Sequence, residues 1–214
     1  MDEKVRLGFH QVTRQEANST LESYAAVTKD MNVIVPTWFN VISDDGTYNS
    51  LASKEYVDKA HGMGLQVWAM VENVSTQESV KNLNTKTLMS STSTRRKLIE
   101  NLMKEADTYG FDGFNLDFES LKAEAGPHYV QFIRELSVSC RQKGLVLSVD
   151  NYVPSSYSAF YNRREQDVYK RQIYGCLWQR GHQKGNRKAV QYSPKKSPSF
   201  SGCLFRGLQD DEVV

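Results

Sequence analysis

The 214-residue sequence predicts an α/β fold built on a parallel sheet. Apolar, β-branched and aromatic runs alternate with helical patterns through residues 1–166, in the order β-α-β-α-β-α-β-α-β. The strand runs are apolar on both faces and each is followed by a helix, which is typical of parallel sheets. Five such strands fit either an open doubly wound sheet or part of an eight-stranded barrel, and periodicity alone leaves both open.

The first elements have clear boundaries. The strand KVRLGFHQV (4–12) precedes a helix at 18–31 whose apolar side chains fall on one face. The β-branched and aromatic run NVIVPTWFNV (32–41) predicts a buried second strand, and turn residues follow it. A helix at 53–64 then leads to the third strand, LQVWAMVEN (65–73).

The later elements repeat this alternation. A long polar loop precedes a helix at 92–110, in which apolar residues recur at four-residue spacing. The fourth strand (111–120) and a helix at 126–144 follow, and LVLSVDNYV (145–153) is the fifth strand.

The carboxyl ends of the predicted strands are polar or aromatic, whereas the strand starts are mostly aliphatic. In both architectures these ends meet on one edge of the sheet, where active sites lie. No glycine-rich phosphate loop follows the first strand, so dinucleotide binding is not expected. The residues at the five ends are His10 and Gln11; Trp38, Phe39 and Asn40; Glu72 and Asn73; Asp117 and Glu119; and Asp150, Asn151 and Tyr152.

The fourth strand, FDGFNLDFES, carries several acids in an apolar run. Because side chains alternate along a strand, Asn115, Asp117 and Glu119 are predicted to share one face, at intervals of about 6.6 Å. Adjacent carboxylates in a semi-buried site cannot both ionise cheaply, so the outermost, Glu119, is a candidate general acid with Asp117 beside it. The alternative is that these acids are solvated or paired with lysine and arginine.

The segment DGFNLDFE resembles the signature of family 18 glycoside hydrolases, Asp-Gly-x-Asp-x-Asp-x-Glu, which lies on the fourth strand of a TIM barrel. The resemblance implies that residues 1–166 form the N-terminal part of such a barrel, about five of its eight β/α units. Asn115 stands where the chitinase pattern has Asp, and this variant resembles the bacterial peptidoglycan and spore-cortex lytic branch. PTWFNV and VDNYVP are similar to strands two and five of that branch.

The resemblance implies hydrolysis of β-1,4 bonds in N-acetylglucosamine-containing polysaccharides or oligosaccharides, from peptidoglycan or chitin, with no metal or cofactor. The nucleophile is then the N-acetyl group of the substrate itself, and the anomeric configuration is retained. Glu119 is implied as the acid/base and Asp117 as the residue that holds the acetamido group. Asn115 is implied to orient Asp117 by a hydrogen bond.

Other residues of the strands are predicted to support the site. Asp112 and Gly113 open the signature and are expected to be structural, and His10 is expected to be a hydrogen-bonded residue of the sheet. Trp38 and Phe39 are either rings that stack on sugars or part of the core. The expected substrate-binding residues are Asp150, Asn151, Tyr152, Trp38 and Glu72.

The sequence changes character after residue 166. Residues 1–166 carry 18 basic and 21 acidic side chains, whereas residues 167–214 carry 9 and 4. DVYKRQ (167–172) equals the translation of GAT GTG TAT AAG AGA CAG, and it resembles the end of a transposase adapter used to prepare sequencing libraries. We therefore expect residues 167–214 to be an unstructured, non-native tail and the chain as written to be an inactive fragment. A basic disordered arm is the alternative.

The composition argues against several classes of protein. No apolar run approaches the ~20 residues of a membrane helix. The three cysteines lack zinc or disulfide spacing, and the excess of basic residues lies in the tail, so no nucleic-acid partner is expected. The first residues do not form a signal peptide. The resemblance nevertheless implies a parent that is secreted or associated with a cell wall or spore.

Two other functions stay open at this point. One is a non-catalytic, carbohydrate-binding relative of chitinases, although such relatives usually lose the residue that corresponds to Glu119. The other is a Mg²⁺-dependent phosphotransfer enzyme, for which Glu72 and Asp150 would have to supply further carboxylates.

Overall fold

A parallel sheet with helices between its strands organises the residues that the computed structural model describes, namely 5–28, 30–73, 83–152, 177–180 and 187–190. The strands are β1 (Leu7–His10), β2 (Val33–Pro36), β3 (Phe39–Val41), β4 (Tyr48–Ser50), β5 (Gln66–Glu72), β6 (Gly113–Asp117), β7 (Val146–Tyr152), β8 (Leu177–Arg180) and β9 (Arg187–Val190). The helices are α1 (Leu21–Val27), α2 (Lys54–Gly62), α3 (Thr85–Ser90), α4 (Thr92–Tyr109) and α5 (Gly126–Lys143), and a 3-10 helix (Gln15–Thr20) precedes α1.

The five predicted parallel strands lie side by side in chain order. β1, β2, β5, β6 and β7 are neighbours in that sequence and pair in parallel. The predicted α/β class is therefore confirmed. Among the described helices, α3 was not predicted, because its six residues are too few to show a helical period.

The second predicted strand is divided into β2 and β3 by a sharp bend. The amide of Trp38 donates to the carbonyl of Pro36 at 3.0 Å, which breaks the regular strand path. Before the bend, Val33 and Val35 face the inside of the sheet; after it, Phe39 faces the helices and Asn40 faces inward. The bend thus reverses which alternate residues point to which face.

Apolar side chains cover both faces of the sheet. The larger cluster fills the layer between the sheet and the helices, with strand residues such as Phe114 and Leu116 against Leu102 and Phe132. A smaller cluster on the opposite face contains Val33, Val35, Trp68 and Met70, all from strands. Polar side chains continue that inner face toward the carboxyl ends of the strands.

Asp112 fixes the start of β6 against its neighbours. Its Oδ2 accepts hydrogen bonds from the amide of Val67 at 2.7 Å and from Nε2 of His61 at 2.8 Å. Its own amide donates to the carbonyl of Val67, and its carbonyl accepts from the amide of Val146. One residue therefore joins β5, β6, β7 and α2.

Gly113 allows β7 to approach β6 closely. A Cβ at this position would lie 2.5 Å from the carbonyl oxygen of Val146 and 2.9 Å from its Cβ. Because Gly113 and Val146 are paired in the sheet, the clash could be relieved only by moving one strand.

Residues 167–214 differ from the prediction at two short strands. β8 pairs in parallel with β7, and β9 pairs antiparallel with β8. Without β8, the outer edge of β7 would present unpaired amides and carbonyls. Pairing with β8 satisfies these backbone groups and does not require a particular side-chain pattern. The DVYKRQ segment and the rest of the tail lie outside the described residues. Among the described helices, none has the length and apolarity to cross a membrane.

His10 at the end of β1 has the structural role that the sequence suggests. It is buried, with Nδ1 2.8 Å from the hydroxyl of Tyr56 and Nε2 2.9 Å from that of Thr20. Thr20 donates its own proton to the carbonyl of Ala17, so its oxygen accepts from Nε2–H and Nδ1 accepts from Tyr56. This is the neutral tautomer, and burial lowers the pKa of His10 below its usual value.

Gly113→Ala is expected to lower the free energy of unfolding by about 1–3 kcal/mol, because the added methyl group overpacks the β6–β7 contact. Urea denaturation measures the change. Gly62→Ala is the matched control: no atom lies within 4 Å of its added Cβ, and the helix-favouring residue should raise stability by up to ~1 kcal/mol. Equal effects of the two substitutions would contradict the close approach of β7.

The buried neutral His10 predicts a loss of stability in acid. Because its pKa is lower in the folded state, the unfolded chain binds the extra proton first as the pH falls below about 6.5. Stability from this residue is full above that pH and declines below it. The free energy of unfolding measured from pH 7 to pH 5 should fall less steeply for His10→Asn than for the wild type. Parallel curves would contradict the assignment.

Candidate functional site

The register of β5, β6 and β7 places polar side chains next to one another on the inner face of the sheet. Met70 pairs with Asn115 and Asn115 pairs with Ser148. Two residues further on, Glu72 pairs with Asp117, and the pairing of Leu116 with Val149 brings Asp150 beside Asp117. The predicted inward direction of Asn115 and Asp117 agrees with this arrangement, since both are buried opposite the apolar Leu116.

A polar residue of β3, Asn40, lies next to Glu72. Asn40 pairs with Glu72, and its Nδ2 donates to Oε1 of Glu72 at 3.3 Å. Asn40, Glu72, Asp117 and Asp150 thus form a line across four neighbouring strands, at their carboxyl ends. We call these four residues the polar row.

Asn115 makes its hydrogen bonds across the sheet and not along its own strand. Its Nδ2 donates to Oδ2 of Asp150 at 3.3 Å, and its Oδ1 accepts from the hydroxyl of Ser148 at 2.5 Å. The predicted hydrogen bond from Asn115 to Asp117 is therefore wrong. Ser148 is directly paired with Asn115, and Asp150 is its diagonal neighbour on the same face of β7, so both partners lie on the adjacent strand.

The two aspartates of the polar row are buried to an unusual degree. Asp117 is 6% exposed and Asp150 is 5% exposed, while Asn115 is fully buried beneath them. Carboxylates are rarely placed inside a protein, because their desolvation must be offset by hydrogen bonds or by charge. Such a cluster at the carboxyl ends of parallel strands is the arrangement expected for an active site.

Tyr129 of α5 lies close enough to Asp117 and Asp150 for these residues to affect its pKa. Burial raises the pKa of Tyr129 well above its usual value, and the nearby Asp117 and Asp150 raise it further. Among the described residues its hydroxyl has no hydrogen-bond partner. The phenol therefore stays protonated beside the two aspartates.

Glu119 lies beyond the regular strand. β6 ends at Asp117, and Phe118 packs on the rings of Tyr129 and Phe132 at centroid distances of 5.1 and 6.1 Å. Glu119 is half-buried, and its backbone is bound by the side chain of Asn73. Strand alternation predicted its side-chain direction, but the contacts that hold this residue come from outside β6.

The aromatic pair for which the sequence left both sugar stacking and the core open lies in the core. Trp38 and Phe39 are 1% and 0% exposed, and both face the helices. Trp38 donates through Nε1 to Oδ1 of Asn18 and packs edge-on against Tyr56. The prediction that Trp38 binds substrate is therefore wrong: Trp38 lies on the same side as Ile34, in the layer between the sheet and the helices.

The other predicted binding residues divide into two groups. Glu72 and Asp150 belong to the polar row and lie toward the carboxyl ends of β5 and β7. Asn151 and Tyr152 are in β7, but their side chains lie outside the described part of the structure. Within the described residues, no three acidic, histidine or cysteine side chains are grouped closely enough to hold a metal ion.

Several site residues escaped the sequence analysis. Ser148 was not considered, although its alternation with Asp150 along β7 placed both on the inner face. Asn40 and Asn73 were recognised only as polar strand ends. Tyr129 carried no signal, because an aromatic residue on the apolar face of a helix is normally part of the core.

The fold is similar to those of solved chitinases and spore cortex-lytic enzymes. The chitinase from Chromobacterium violaceum ATCC 12472 has a TM-score of 0.58 at 21% identity, covering 74% of this chain and 50% of that chain. The spore cortex-lytic enzyme SleL from Bacillus megaterium QM B1551 has a TM-score of 0.60 at 16% identity, covering 81% and 42%. SleL from Bacillus cereus has a TM-score of 0.58 at 19% identity, covering 72% and 36%. The chain thus spans half the length of these proteins or less.

The sequence also matches a family directly. A search of curated proteins found no match. The profile described as "Glycosyl hydrolases family 18" matches residues 9–170, well over half of the chain. The matched range contains the complete polar row and Glu119. The chain therefore belongs to family 18 of the glycosyl hydrolases.

Proposed function

We propose that this chain is part of a glycosidase that hydrolyses β-1,4 bonds of N-acetylglucosamine-containing polymers, with Glu119 as the acid/base. The observation that carries the proposal is the polar row: two aspartates buried side by side at the carboxyl ends of β6 and β7, with Glu119 two residues beyond Asp117. Carboxylates at that edge can accept hydrogen bonds from the hydroxyl and amide hydrogens of a sugar.

The proposed reaction proceeds in two displacements at the anomeric carbon. In the first, Glu119 donates its proton to the glycosidic oxygen while the carbonyl oxygen of the 2-acetamido group attacks the anomeric carbon, so the leaving sugar departs and an oxazolinium ion forms. In the second, Glu119 takes a proton from water, and the water oxygen attacks the same carbon. This attack opens the oxazolinium ring and restores the acetamido group. Two inversions give net retention.

Asp117 stabilises the positive charge that develops on the acetamido group. Its carboxylate accepts the acetamido N–H and orients the carbonyl oxygen toward the anomeric carbon. Burial strengthens this interaction, because a water-poor site screens charge weakly. Asp150 lies beside Asp117 and accepts from Asn115 at 3.3 Å. Asn115 is itself held by Ser148, whose hydroxyl donates to its Oδ1 at 2.5 Å.

Asparagine at position 115 suits a row that already contains three carboxylates. An amide donates to Asp150 and accepts from Ser148 at once, whereas an aspartate could only accept. A fourth acid would also add charge next to Asp150. Asn115 therefore supports the aspartates without competing with them for a proton.

Peptidoglycan is our preferred substrate over chitin. The Asn115 variant of the signature resembles the cell-wall and spore-cortex lytic branch, and two solved proteins of similar fold are named spore cortex-lytic enzymes. A secreted, cell-wall or spore-associated location goes with this substrate. Binding to the sugar polymer without hydrolysis is the alternative function.

We further propose that residues 1–166 are the native part of the chain and that residues 167–214 are foreign to it. The family match ends at residue 170, four residues beyond this boundary. The activity experiments therefore use the product of the uninterrupted gene that encodes residues 1–166, referred to below as the gene product.

Glu119→Gln in the gene product should reduce kcat on N-acetylglucosamine oligomers and peptidoglycan by about 10²–10⁴-fold, because glutamine cannot transfer a proton. Binding of the oligomers should be retained. Glu124→Gln is the matched control, since this exposed glutamate of the same loop is only paired with Lys86 at 3.8 Å. Undiminished hydrolysis by Glu119→Gln would contradict the proposal, and binding without hydrolysis in every form would favour the alternative.

Asn115→Asp should destabilise the fold more at pH 7 than at pH 4. The new carboxylate would face Asp150 across the 3.3 Å contact now made by the amide, and two like charges in a buried site repel. At pH 4 one of the two groups can take up a proton, which relieves the repulsion. Urea denaturation at both pH values measures the difference, and an equal loss at the two pH values would contradict the role of Asn115.

A further inference from the structure

Asn73 makes two opposed hydrogen bonds with the backbone of Glu119. Its Oδ1 accepts from the amide of Glu119 at 2.7 Å, and its Nδ2 donates to the carbonyl of Glu119 at 3.0 Å. A side-chain amide that binds both the N–H and the C=O of one residue replaces what a neighbouring strand would provide. Asn73 follows directly after β5, the strand next to β6.

Glu119 needs such a substitute because the sheet no longer supports it. β6 ends two residues earlier, and the next residue, Ser120, has a φ of 54°, in the left-handed region that non-glycine residues rarely adopt. The chain turns sharply at this point into the loop before α5. The hydrogen bonds from Asn73 restrict the rotation of the Glu119 backbone at the end of the strand.

Asn73 is itself fixed from a second direction. Its Nδ2 also donates to Oγ1 of Thr85 at 3.2 Å, at the first residue of α3. The side-chain amide of Asn73 is therefore held between α3 and the turn after β6. These contacts fix the plane of the side-chain amide relative to the backbone of Glu119. Its oxygen and nitrogen are each assigned by these partners, since the amide of Glu119 can only donate.

We infer that Asn73 is a positioning residue that sets the direction of the Glu119 side chain by holding its backbone. The inference rests on the proposed function of Glu119 and extends it to a neighbouring strand. Asn73 does not touch the reacting atoms; it keeps the carboxyl group of Glu119 within reach of the glycosidic oxygen. Loss of this contact leaves the substrate site intact but lets the acid move away from its target.

Amide hydrogen exchange tests the contact without requiring activity. In both the 214-residue chain and the gene product, Asn73→Ala should speed exchange at the amide of Glu119 by at least ~5-fold, because one hydrogen bond is lost. Asn73→Asp should keep the exchange rate of the Glu119 amide near the wild-type value, since a carboxylate still accepts from this amide. Exchange at Glu119 that is unchanged by Asn73→Ala would overturn the inference.

Asn32→Ala is the matched control. Asn32 is also half-buried and also accepts from a backbone amide, that of Arg6 at 2.7 Å, but it lies before β2 at the opposite edge of the sheet. A general loss of stability would affect both variants similarly. Only Asn73→Ala should change exchange at Glu119.

Kinetics of the gene product test the consequence for the acid. Asn73→Ala should lower kcat by about 10²-fold with KM within twofold, because a small displacement of a catalytic group costs rate and not binding. Asn32→Ala should leave both constants unchanged. A rise in KM with constant kcat, or no effect, would overturn the positioning role.

Different results would overturn the function proposed for Glu119 and the positioning role inferred for Asn73. If the wild-type gene product does not hydrolyse the oligomers, the function proposed for Glu119 is wrong and the positioning role is wrong with it, whatever the exchange data show for the contact. If the wild type is active, Glu119→Gln is inactive and Asn73→Ala retains full kcat, the function stands and only the inference about Asn73 is overturned.

Discussion

The parallel pairing of β5, β6 and β7 in one register is the constraint on which the candidate site depends. Because Glu72 pairs with Asp117 and Leu116 with Val149, three carboxylates from different parts of the chain arrive at one level of the inner face. A shift of β6 by one residue would turn Asn115 and Asp117 toward the helices and bring Leu116 and Phe118 inside. Asp112 and Gly113 oppose such a shift, the first by joining β5, β6 and α2 and the second by admitting the backbone of Val146.

Neutral amides of adjacent strands contribute to stabilising the buried acids. Asp150 receives its hydrogen bond from Asn115, and Glu72 receives one from Asn40, both on adjacent strands. These amides are neutral, so they add no charge to the site. In the proposed reaction, the carboxylates would stabilise the positive charge where it develops. Glu119 differs from the row, since it lies past the end of β6 and depends on Asn73.

Much of this arrangement was predictable from the sequence, because it follows from periodicity. Alternation along β6 placed Asn115 and Asp117 inward, and the repeating strand and helix pattern gave the parallel sheet. Errors arose where backbone geometry departs from regularity. The bend after Pro36 turns Phe39 from the inner face to the core, where Trp38 also lies. The hydrogen bonds of Asn115 run across the sheet to Ser148, its paired residue, and to Asp150, its diagonal neighbour. The contact between Asn73 and Glu119 joins residues 46 positions apart and has no sequence period.

The configuration of the first product tests the proposed chemistry most directly. Proton NMR can follow the anomeric signals as the gene product cleaves an N-acetylglucosamine oligomer, before mutarotation mixes the two forms. Substrate-assisted catalysis by Glu119 and Asp117 predicts that the β-anomer appears first, because two displacements retain the configuration of the β-1,4 bond. Initial release of the α-anomer would show a single displacement by water and would contradict the proposed roles of both residues.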